Sequence, residues 1–545
     1  MSFDFDINTQ KAINRNFSSI KKINWKNWLE ISTKEEYIET ILKLSGLSNL
    51  DNLFQTIRNE KTDSRALSVN KDLFLHRYTG KNEPILCHTS GTTNSNIDSL
   101  KWFHMSKSLV QRLWAPGMQA IFEFSGLDKK GSAVIFVPSR LTFDGVNQYN
   151  GKPYLSLYSA EFSQRVMLSI IKPKSYCFYP YRKALDLQVI ARILNLEDIA
   201  VISAPAVTIL KWANPDRFKK GILKSFNSLK KSRSNGAENL VKLIERKGKE
   251  HGIKKIQTML SEKLRGATLV FSISSLNSND WDFIRAFMGW EDGKEKFTSL
   301  YVASEIGPFA ASISSNAYEI SRKNLMHIFP LTIPTLVYKN KIEFISDSKY
   351  SKGTLFVSRM GINKPIINID TGDVIFLKDN SGLPLISGEI LRSSFNLNYD
   401  LKFNKNIRIK ENLKIKAGHF FSFQEFDIRN SRVILDCIKK SHNLYTDSLL
   451  LNQLDNSHNR WELIVPIENA EKQYIEELNT TITKCQDEIS FKNALENSII
   501  NLRIINENLI QFLKPRKEIV QEVRNGTTPK GILKKWPMYV ISYSG

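Results

Sequence analysis

The chain has 545 residues, several times the length of a typical domain, which predicts at least two packed units. Its 41% hydrophobic and 24% charged residues exclude a disordered chain. No stretch approaches the roughly 20 apolar residues of a membrane span, and the N-terminus lacks a signal-peptide pattern, so we expect a cytoplasmic protein. Four widely spaced cysteines indicate neither a disulfide framework nor a zinc site. The net charge of +22 favours anionic partners, and a Lys-, Asn- and Ile-rich codon background is the alternative explanation of the same excess.

Residues 1–80 are predicted to form a layer of helices. The segment Ser32–Glu36 combines hydroxyl and acidic residues, as a helix start does, and apolar residues recur after it at helical spacing. No residue of this layer indicates a catalytic or binding role.

The first motif with chemical character is Thr89-Ser90-Gly91-Thr92-Thr93, which follows the apolar run Ile85–Cys87. A strand that leads into one glycine and four hydroxyl residues gathers N–H and O–H donors around one point, which suits a polyphosphate. The same composition also occurs in ordinary loops, and the GK[ST] ending of the P-loop is absent. Lys101 follows a short distance downstream.

Apolar runs alternate with helical patterns from residue 85 to about residue 202. Ala133–Val137 and Ala200–Ile202 are predicted strands, and Ala184–Leu194 is a predicted helix. This alternation predicts an α/β sheet with the phosphate loop at the C-terminal end of a strand, where such sheets bind ligands.

Residues 211–265 are strongly basic, but their apolar residues keep helical spacing. We interpret them as surface helices with solvated basic faces. Nucleic-acid binding is the alternative, which the scarcity of interleaved aromatic residues disfavours.

Two further motifs lie downstream of the basic segment. A predicted strand at residues 266–273 and a predicted helix at Trp281–Trp290 lead to Tyr301-Val302-Ala303-Ser304-Glu305. Asp370-Thr371-Gly372-Asp373 follows among strand-like residues. By itself, the T-G-D segment also fits an ordinary turn, with Asp373 as a turn residue.

In this order, T-S-G-T-T, a lysine, Y-x-x-S-E and T-G-D resemble the motifs of the AMP-forming adenylating enzymes. Residues 100–106 and the Y-V-A-S-E motif are closest to the auxin-responsive acyl-acid amido synthetases. The segment Ile369–Asp373 instead resembles the acyl-CoA ligases. The resemblance implies an α/β protein with a large N-terminal adenylating domain of mixed sheets and helices and a small α+β C-terminal lid domain. It divides the chain into an N-terminal helical layer (1–80), an ATP- and acyl-binding domain (81–398) and the lid (399–545).

The resemblance also implies a set of site residues. Thr89 to Thr93 would hold the ATP phosphates, Tyr301 and Ser304 would line the adenine or acyl side, and Asp373 would bind the ribose. Glu305 and Thr92 would ligate Mg²⁺. Arg408 would be a hinge residue that contributes to nucleotide binding. The catalytic cations would be Lys101 and one lysine of the lid. Lys535 fits the pattern of the amido synthetases and is preferred, whereas the pattern of the ligases places the lysine at Ile532, two residues after Lys530, which is the second choice.

The implied reaction activates a carboxylic acid with ATP and Mg²⁺, releases pyrophosphate and passes the acyl group to an amine or amino acid. Transfer to the thiol of CoA is the first alternative. The second alternative is a non-catalytic protein that binds nucleic acid or another anionic surface on a degenerate adenylating fold.

Overall fold

The computed structural model describes the chain except for residues 1–6, 23–30, 32, 46–50, 90–99, 125, 128–130, 233–235, 273–277, 292, 313–324, 346, 347, 349, 350, 363, 379–384, 398–400, 406, 408–412, 456–459, 470–473, 485–488, 529, 534, 535, 544 and 545. Contacts divide the chain into a large unit (1–89, 101–371 and 376–389) and a small unit (90–100, 372–375 and 390–545). The sequence-based boundary at 398/399 stays a prediction. No described helix is long and apolar enough to cross a membrane.

The N-terminal part of the large unit is helical where it is described. Its helices are α1 (Ile7–Phe17), α2 (Lys34–Ser45), α3 (Asp51–Asn59) and α4 (Lys71–Arg77). The start of α2 is a capping box, because the Glu36 N–H donates to Thr33 Oγ1 and the Thr33 N–H donates to the Glu36 carboxylate. The predicted helix start is therefore confirmed, with Thr33 as the cap.

The strand that leads to the first motif belongs to a sheet of its own. This sheet has the order β2-β1-β5-β4 and consists of β1 (Ile85–His88), β2 (Trp102–His104), β4 (Gly145–Tyr149) and β5 (Lys152–Tyr158). β1 pairs parallel to β5 and antiparallel to β2. The expectation that one α/β sheet spans residues 85–202 is wrong in this respect, because β1 belongs to a different sheet from the strand Ser132–Val137.

The main sheet combines a parallel half with an antiparallel half, in the order β13-β12-β14-β15-β16-β11-β10-β9-β8-β7-β3-β6. The parallel strands are β3 (Ser132–Val137), β6 (Tyr176–Pro180), β7 (Ile199–Ser203), β8 (Thr268–Ser272) and β9 (Phe297–Ala303). The other strands are β10 (Gly307–Ser312), β11 (Leu325–Ile328), β12 (Thr332–Tyr338), β13 (Lys341–Phe344), β14 (Lys352–Arg359), β15 (Ile366–Leu377) and β16 (Leu385–Arg392). The strands predicted from the apolar runs are thereby confirmed.

Helices interleave with the strands of the large unit. They are α5 (Ala115–Phe124), α6 (Ser159–Ile171), α7 (Leu187–Leu194), α8 (Ala206–Ala213), α9 (Pro215–Ser232), α10 (Glu238–Lys247), α11 (Lys249–Leu264) and α12 (Ser278–Met288). The apolar faces of α7 to α12 pack with β3, β7 and β8 in one core.

The basic segment forms α9, α10 and α11, as predicted. Phe226, Ile222 and Ile244 are buried in the core. Lys219 and Glu250 pair at the surface, where an exposed ion pair adds little stability. The interpretation of these residues as surface helices with solvated basic faces is confirmed.

The small unit is an α+β structure. Its main sheet has the order β17-β19-β26-β22-β23-β24 and contains β17 (Phe395–Asn396), β19 (Lys414–Gly418), β22 (Leu449–Asp455), β23 (Arg460–Pro466), β24 (Ile500–Ile505) and β26 (Met538–Ser542). Two short sheets pair β18 (Leu401–Phe403) with β25 (Ile510–Phe512) and β20 (Phe421–Ser422) with β21 (Asp427–Ile428). The helices are α13 (Ser431–Lys439), α14 (Tyr474–Thr483), α15 (Ile489–Glu496) and α16 (Arg516–Asn525).

Successive side chains of β26 point to opposite faces of the sheet and so contribute to two hydrophobic cores of this unit. Met538 and Val540 lie in one core, whereas Tyr539 and Ile541 lie in the other.

Candidate active site

Thr89, the first residue of the predicted phosphate loop, lies beside Lys101 in the large unit. His88 pairs with Trp102 across β1 and β2, and the Thr89 N–H donates to the Lys101 carbonyl at 3.3 Å. The chain between them therefore connects two paired strands. Ser90, Gly91, Thr92 and Thr93 lie outside the described residues, so their predicted contacts with phosphate stay predictions.

Ser304 and Glu305 occupy the turn of a hairpin between β9 and β10. The turn closes where the Ile306 N–H donates to the Ala303 carbonyl at 3.2 Å. Gly307 ends the turn with a φ of +76°, and a Cβ there would lie 3.1 Å from the indole of Trp114. Backbone conformation and close packing both require glycine at this position, and together they fix where Glu305 projects.

Lys101 and Glu305 are brought together although they are far apart in sequence. Lys101 Nζ lies 3.7 Å from Glu305 Oε1, and the two side chains are 18% and 19% exposed. This distance is an ion pair rather than a short hydrogen bond, so either group can turn to a ligand without loss of a tight contact. The pair offers an ammonium group for phosphate oxygens and a carboxylate for a hard cation.

The two other predicted residues of the second motif have packing partners. Tyr301 is buried, and its ring centroid lies 4.4 Å from that of Phe309. The Ser304 and Ser159 hydroxyls are 2.9 Å apart, which ties the hairpin to the start of α6. The predicted contact of Tyr301 and Ser304 with adenine or the acyl group stays a prediction.

A buried arginine that sequence reasoning missed supports the same hairpin. Arg359 on β14 is 1% exposed and donates to the Pro308 carbonyl at 3.1 Å, to the Leu113 carbonyl at 3.0 Å and to Thr332 Oγ1 at 2.6 Å. Pro308 directly follows Gly307, so Arg359 links the hairpin to β12 and to the segment before α5. Its strand, Lys352–Arg359, mixes polar and apolar residues, so the sequence carried no local signal for this arginine.

Asp373 lies within β15 rather than in a turn, so the local turn reading of T-G-D is wrong. Gly372 has a φ of +71°, which bends the strand at a position where other residues would be strained. Asp373 is buried, and its Oδ1 accepts from Arg392 Nη1 at 3.0 Å. Arg392 was not selected from the sequence, where it is one of many basic residues. The pair forms a buried carboxylate with an ionic partner in the small unit.

The remaining predicted cations cannot be placed. Arg408 and Lys535 lie outside the described residues. Lys530 begins a short 3₁₀ helix, Lys530–Leu533, but its side chain is not among those described. Which lysine of the C-terminal segment acts in the reaction stays a prediction.

The donor set around Glu305 suits a cation that arrives with its substrate. Within the described part of the chain, no group of three or more His, Cys, Asp or Glu side chains could hold a metal ion by itself. Mg²⁺ is commonly bound by one or two carboxylates together with phosphate oxygens. Glu305 can supply one such carboxylate, and bound Mg²⁺ would neutralise negative charge on the phosphates.

No protein-family model matches the sequence, and no curated protein matches it. The amide bond synthetase McbA from Marinactinospora thermotolerans is 8% identical over 81% of this chain and 67% of that chain, with a TM-score of 0.41. A structure from a study of fatty acyl-adenylate ligases from E. coli and L. pneumophila is 8% identical over 82% and 68%, with a TM-score of 0.42. A 2-hydroxyisobutyryl-CoA ligase is 10% identical over 93% and 90%, with a TM-score of 0.41. These proteins are of the kinds that the sequence motifs resemble, but likenesses this weak assign the chain to no one family.

Proposed function

We propose that the protein converts a carboxylic acid and MgATP into an acyl adenylate and pyrophosphate, and then transfers the acyl group to an amine or amino acid. The observation that carries the proposal is the distance of 3.7 Å between Lys101 Nζ and Glu305 Oε1. The carbonyl of Lys101 also accepts from the N–H of Thr89, the first residue of the T-S-G-T-T motif. Two motifs that the resemblance places at the ATP phosphates are thereby adjacent in space.

The charges of these residues suit the first half-reaction. A substrate carboxylate attacks the α-phosphorus, and pyrophosphate leaves with the electron pair of the broken P–O bond. Catalysis of such a step depends on positioning and on neutralising the charge of the phosphates. Lys101 would contact phosphate oxygens, and Glu305 would hold Mg²⁺, once ATP separates the two side chains.

Asp373 supports nucleotide binding through its fixed orientation. A carboxylate can accept hydrogen bonds from both ribose hydroxyls. Arg392 already binds one of its oxygens at 3.0 Å, which restricts the rotation of the carboxylate before a ligand arrives. Asp373 would therefore bind ribose at a low cost in side-chain entropy.

The acceptor of the acyl group is inferred from the residues of the motifs. Residues 100–106 and Tyr301–Glu305 favour the amido synthetases and hence an amine or amino acid. Ile369–Asp373 favours the CoA ligases, so the CoA thiol is the second candidate.

Exchange of labelled pyrophosphate into ATP tests the first half-reaction. The assay would use aryl, indole-type and fatty acids without an acceptor, and each acid would be compared with a reaction lacking Mg²⁺. Exchange that requires both acid and Mg²⁺ is the expected result. Folded protein that exchanges with no acid in the panel would overturn the proposal. Tight nucleic-acid binding that weakens steeply with salt would then favour the binding-protein alternative.

Mass spectrometry of the products tests the second half-reaction. With the active acid, an amide formed from an amino acid supports the proposed acceptor. A CoA thioester without amide would replace it with the second candidate.

A further inference from the structure

A histidine and an aspartate form a buried polar pair in the interior of the large unit, and the histidine directly precedes the T-S-G-T-T motif. His88 is the last residue of β1, and the side chains of His88 and Asp144 are both fully buried. His88 Nε2 lies 2.7 Å from Asp144 Oδ1, and His88 Nδ1 lies 3.0 Å from the Thr89 carbonyl oxygen. The proposed function leaves this pair without a role.

The partners of the ring fix its orientation. The Thr89 carbonyl can only accept, so Nδ1 must donate to it. Asp144 Oδ2 accepts from the Leu141 N–H at 2.6 Å, which holds the carboxyl group beside the ring. Both ring nitrogens therefore have an oxygen partner, Thr89 on one side and Asp144 on the other.

Three aromatic side chains surround the ring. The ring centroids of Trp102, Phe143 and Tyr158 lie 5.1, 5.6 and 4.3 Å from that of His88. This packing leaves the ring little room to turn away from its two partners.

The titratable groups around His88 differ in charge, and Asp144 is the carboxyl group that it contacts. Burial and the charge of Asp144 raise the pKa values of Cys87 and Tyr158, so both are neutral at pH 7. The Lys71 ammonium lies 5.3 and 5.8 Å from the centroids of Trp102 and Phe143, two rings that also contact His88.

We propose that His88 is a positioning residue, whose ring Asp144 orients so that the Nδ1–H anchors the carbonyl of Thr89 at the start of the phosphate loop. The Thr89 N–H is already bound to the Lys101 carbonyl, so both backbone polar groups of Thr89 are fixed. The anchor thereby orients the first residue of the loop together with the strand that presents Lys101. This inference rests on the proposed function, because it takes the triphosphate of ATP as the ligand of the loop.

Two substitutions separate the two hydrogen bonds of His88. In His88→Asn the amide nitrogen occupies the place of Nδ1 and can still donate to Thr89. In His88→Gln it occupies the place of Nε2 and can still donate to Asp144, but the bond to Thr89 is lost. His104→Gln is the matched control, because His104 lies on the neighbouring strand β2 and stacks on Phe74 instead.

The first measurement is calorimetric binding of a non-hydrolysable ATP analogue with Mg²⁺. We expect His88→Gln to weaken binding about tenfold, and His88→Asn and the control to weaken it less than about threefold. A wild-type protein that binds the analogue, together with equal losses in His88→Gln and His88→Asn, would overturn the positioning role. A wild-type protein that does not bind the analogue would overturn the proposed function itself.

The second measurement needs no variant to retain nucleotide binding. Nitrogen-15 NMR of histidine-labelled wild-type protein distinguishes a doubly protonated ring from either neutral tautomer, and the signal missing from His88→Gln assigns the residue. We expect Nδ1 to carry a proton. A ring protonated on Nε2 alone would overturn the anchor, whatever the outcome of the binding experiment.

Discussion

Two carboxylates, Glu305 in the large unit and Asp373 in the small unit, each face a basic side chain, but the two pairs are built differently. Glu305 and Lys101 are 3.7 Å apart and equally exposed, at 19% and 18%. Asp373 and Arg392 are 3.0 Å apart, with the acid 8% and the arginine 42% exposed. Lys101 and Glu305 are loosely paired and both partly exposed. In the second pair, the arginine orients a buried acid.

The difference suits two kinds of ligand. A group that must exchange its partner for a metal ion gains from a weak contact, because little is lost when Mg²⁺ and phosphate arrive. A group that must meet two hydroxyls at fixed positions gains from being oriented beforehand. The comparison therefore predicts that substitutions of Glu305 act mainly on the chemical step and substitutions of Asp373 mainly on ATP binding.

The largest effect is expected for Glu305→Gln. The amide keeps the volume of the side chain but loses the charge that a metal ligand needs, so acid-dependent pyrophosphate exchange should fall about a hundredfold or more. The melting temperature should stay close to that of the wild-type protein, because the loose pair adds little stability.

Glu291→Gln is the matched control for this substitution. Glu291 is 73% exposed and pairs with Lys294 at the surface, so its neutralisation should leave exchange unchanged. Wild-type exchange rates in folded Glu305→Gln protein would contradict the assignment of Glu305 to the metal ion.

A smaller effect, on KM rather than kcat, is expected for Asp373→Asn. Loss of charged hydrogen bonds to the ribose should raise the KM for ATP about tenfold and leave the KM for the acid within about twofold. Asp370→Asn, on the same strand but exposed, should change neither value. Equal increases in both KM values would show that Asp373 supports the site as a whole rather than the ribose.

Much of the fold follows from local patterns. Hydrophobic periodicity predicted the parallel strands, the N-terminal helices and the basic helices, because each signal lies within a few residues. Hydrophobic periodicity failed for β1, because its apolar run predicts that the strand is buried but not which strand it pairs with. It failed also at Gly372, because a glycine with positive φ serves a turn and a bend in a strand equally well, and only the neighbouring strands decide between them.

The candidate site, like the fold, contains residues that the sequence identified and residues that it missed. Lys101 and Glu305 could be selected because they stand in ordered motifs, and the structure brings these two together. Arg359, Arg392 and His88 were missed because their significance depends on partners from distant parts of the chain. An arginine that donates to two backbone carbonyls has no local signature, and neither has a histidine that bonds to Asp144.

The coupling energy between Asp373 and Arg392 tests the tighter of the two pairs. A double-mutant cycle with Asp373→Asn and Arg392→Gln, measured by chemical unfolding, should give about 1 kcal/mol, since the acid is buried but the arginine is partly solvated. The same cycle measured on the KM for ATP should also be non-additive, because Arg392 orients the group that would bind ribose. Additive effects on KM would remove Arg392 from the nucleotide site.

The smallest effect is expected for the coupling between Lys101 and Glu305 in unfolding. A cycle with Lys101→Met and Glu305→Gln should give about 0.5 kcal/mol or less, because a distance of 3.7 Å and partial solvation leave little attraction beyond the cost of ordering two long side chains. Each single substitution should nevertheless reduce pyrophosphate exchange strongly. A coupling of about 2 kcal/mol would instead describe a rigid structural pair, which could not release Glu305 to a metal ion, and the contrast with Asp373 and Arg392 would disappear.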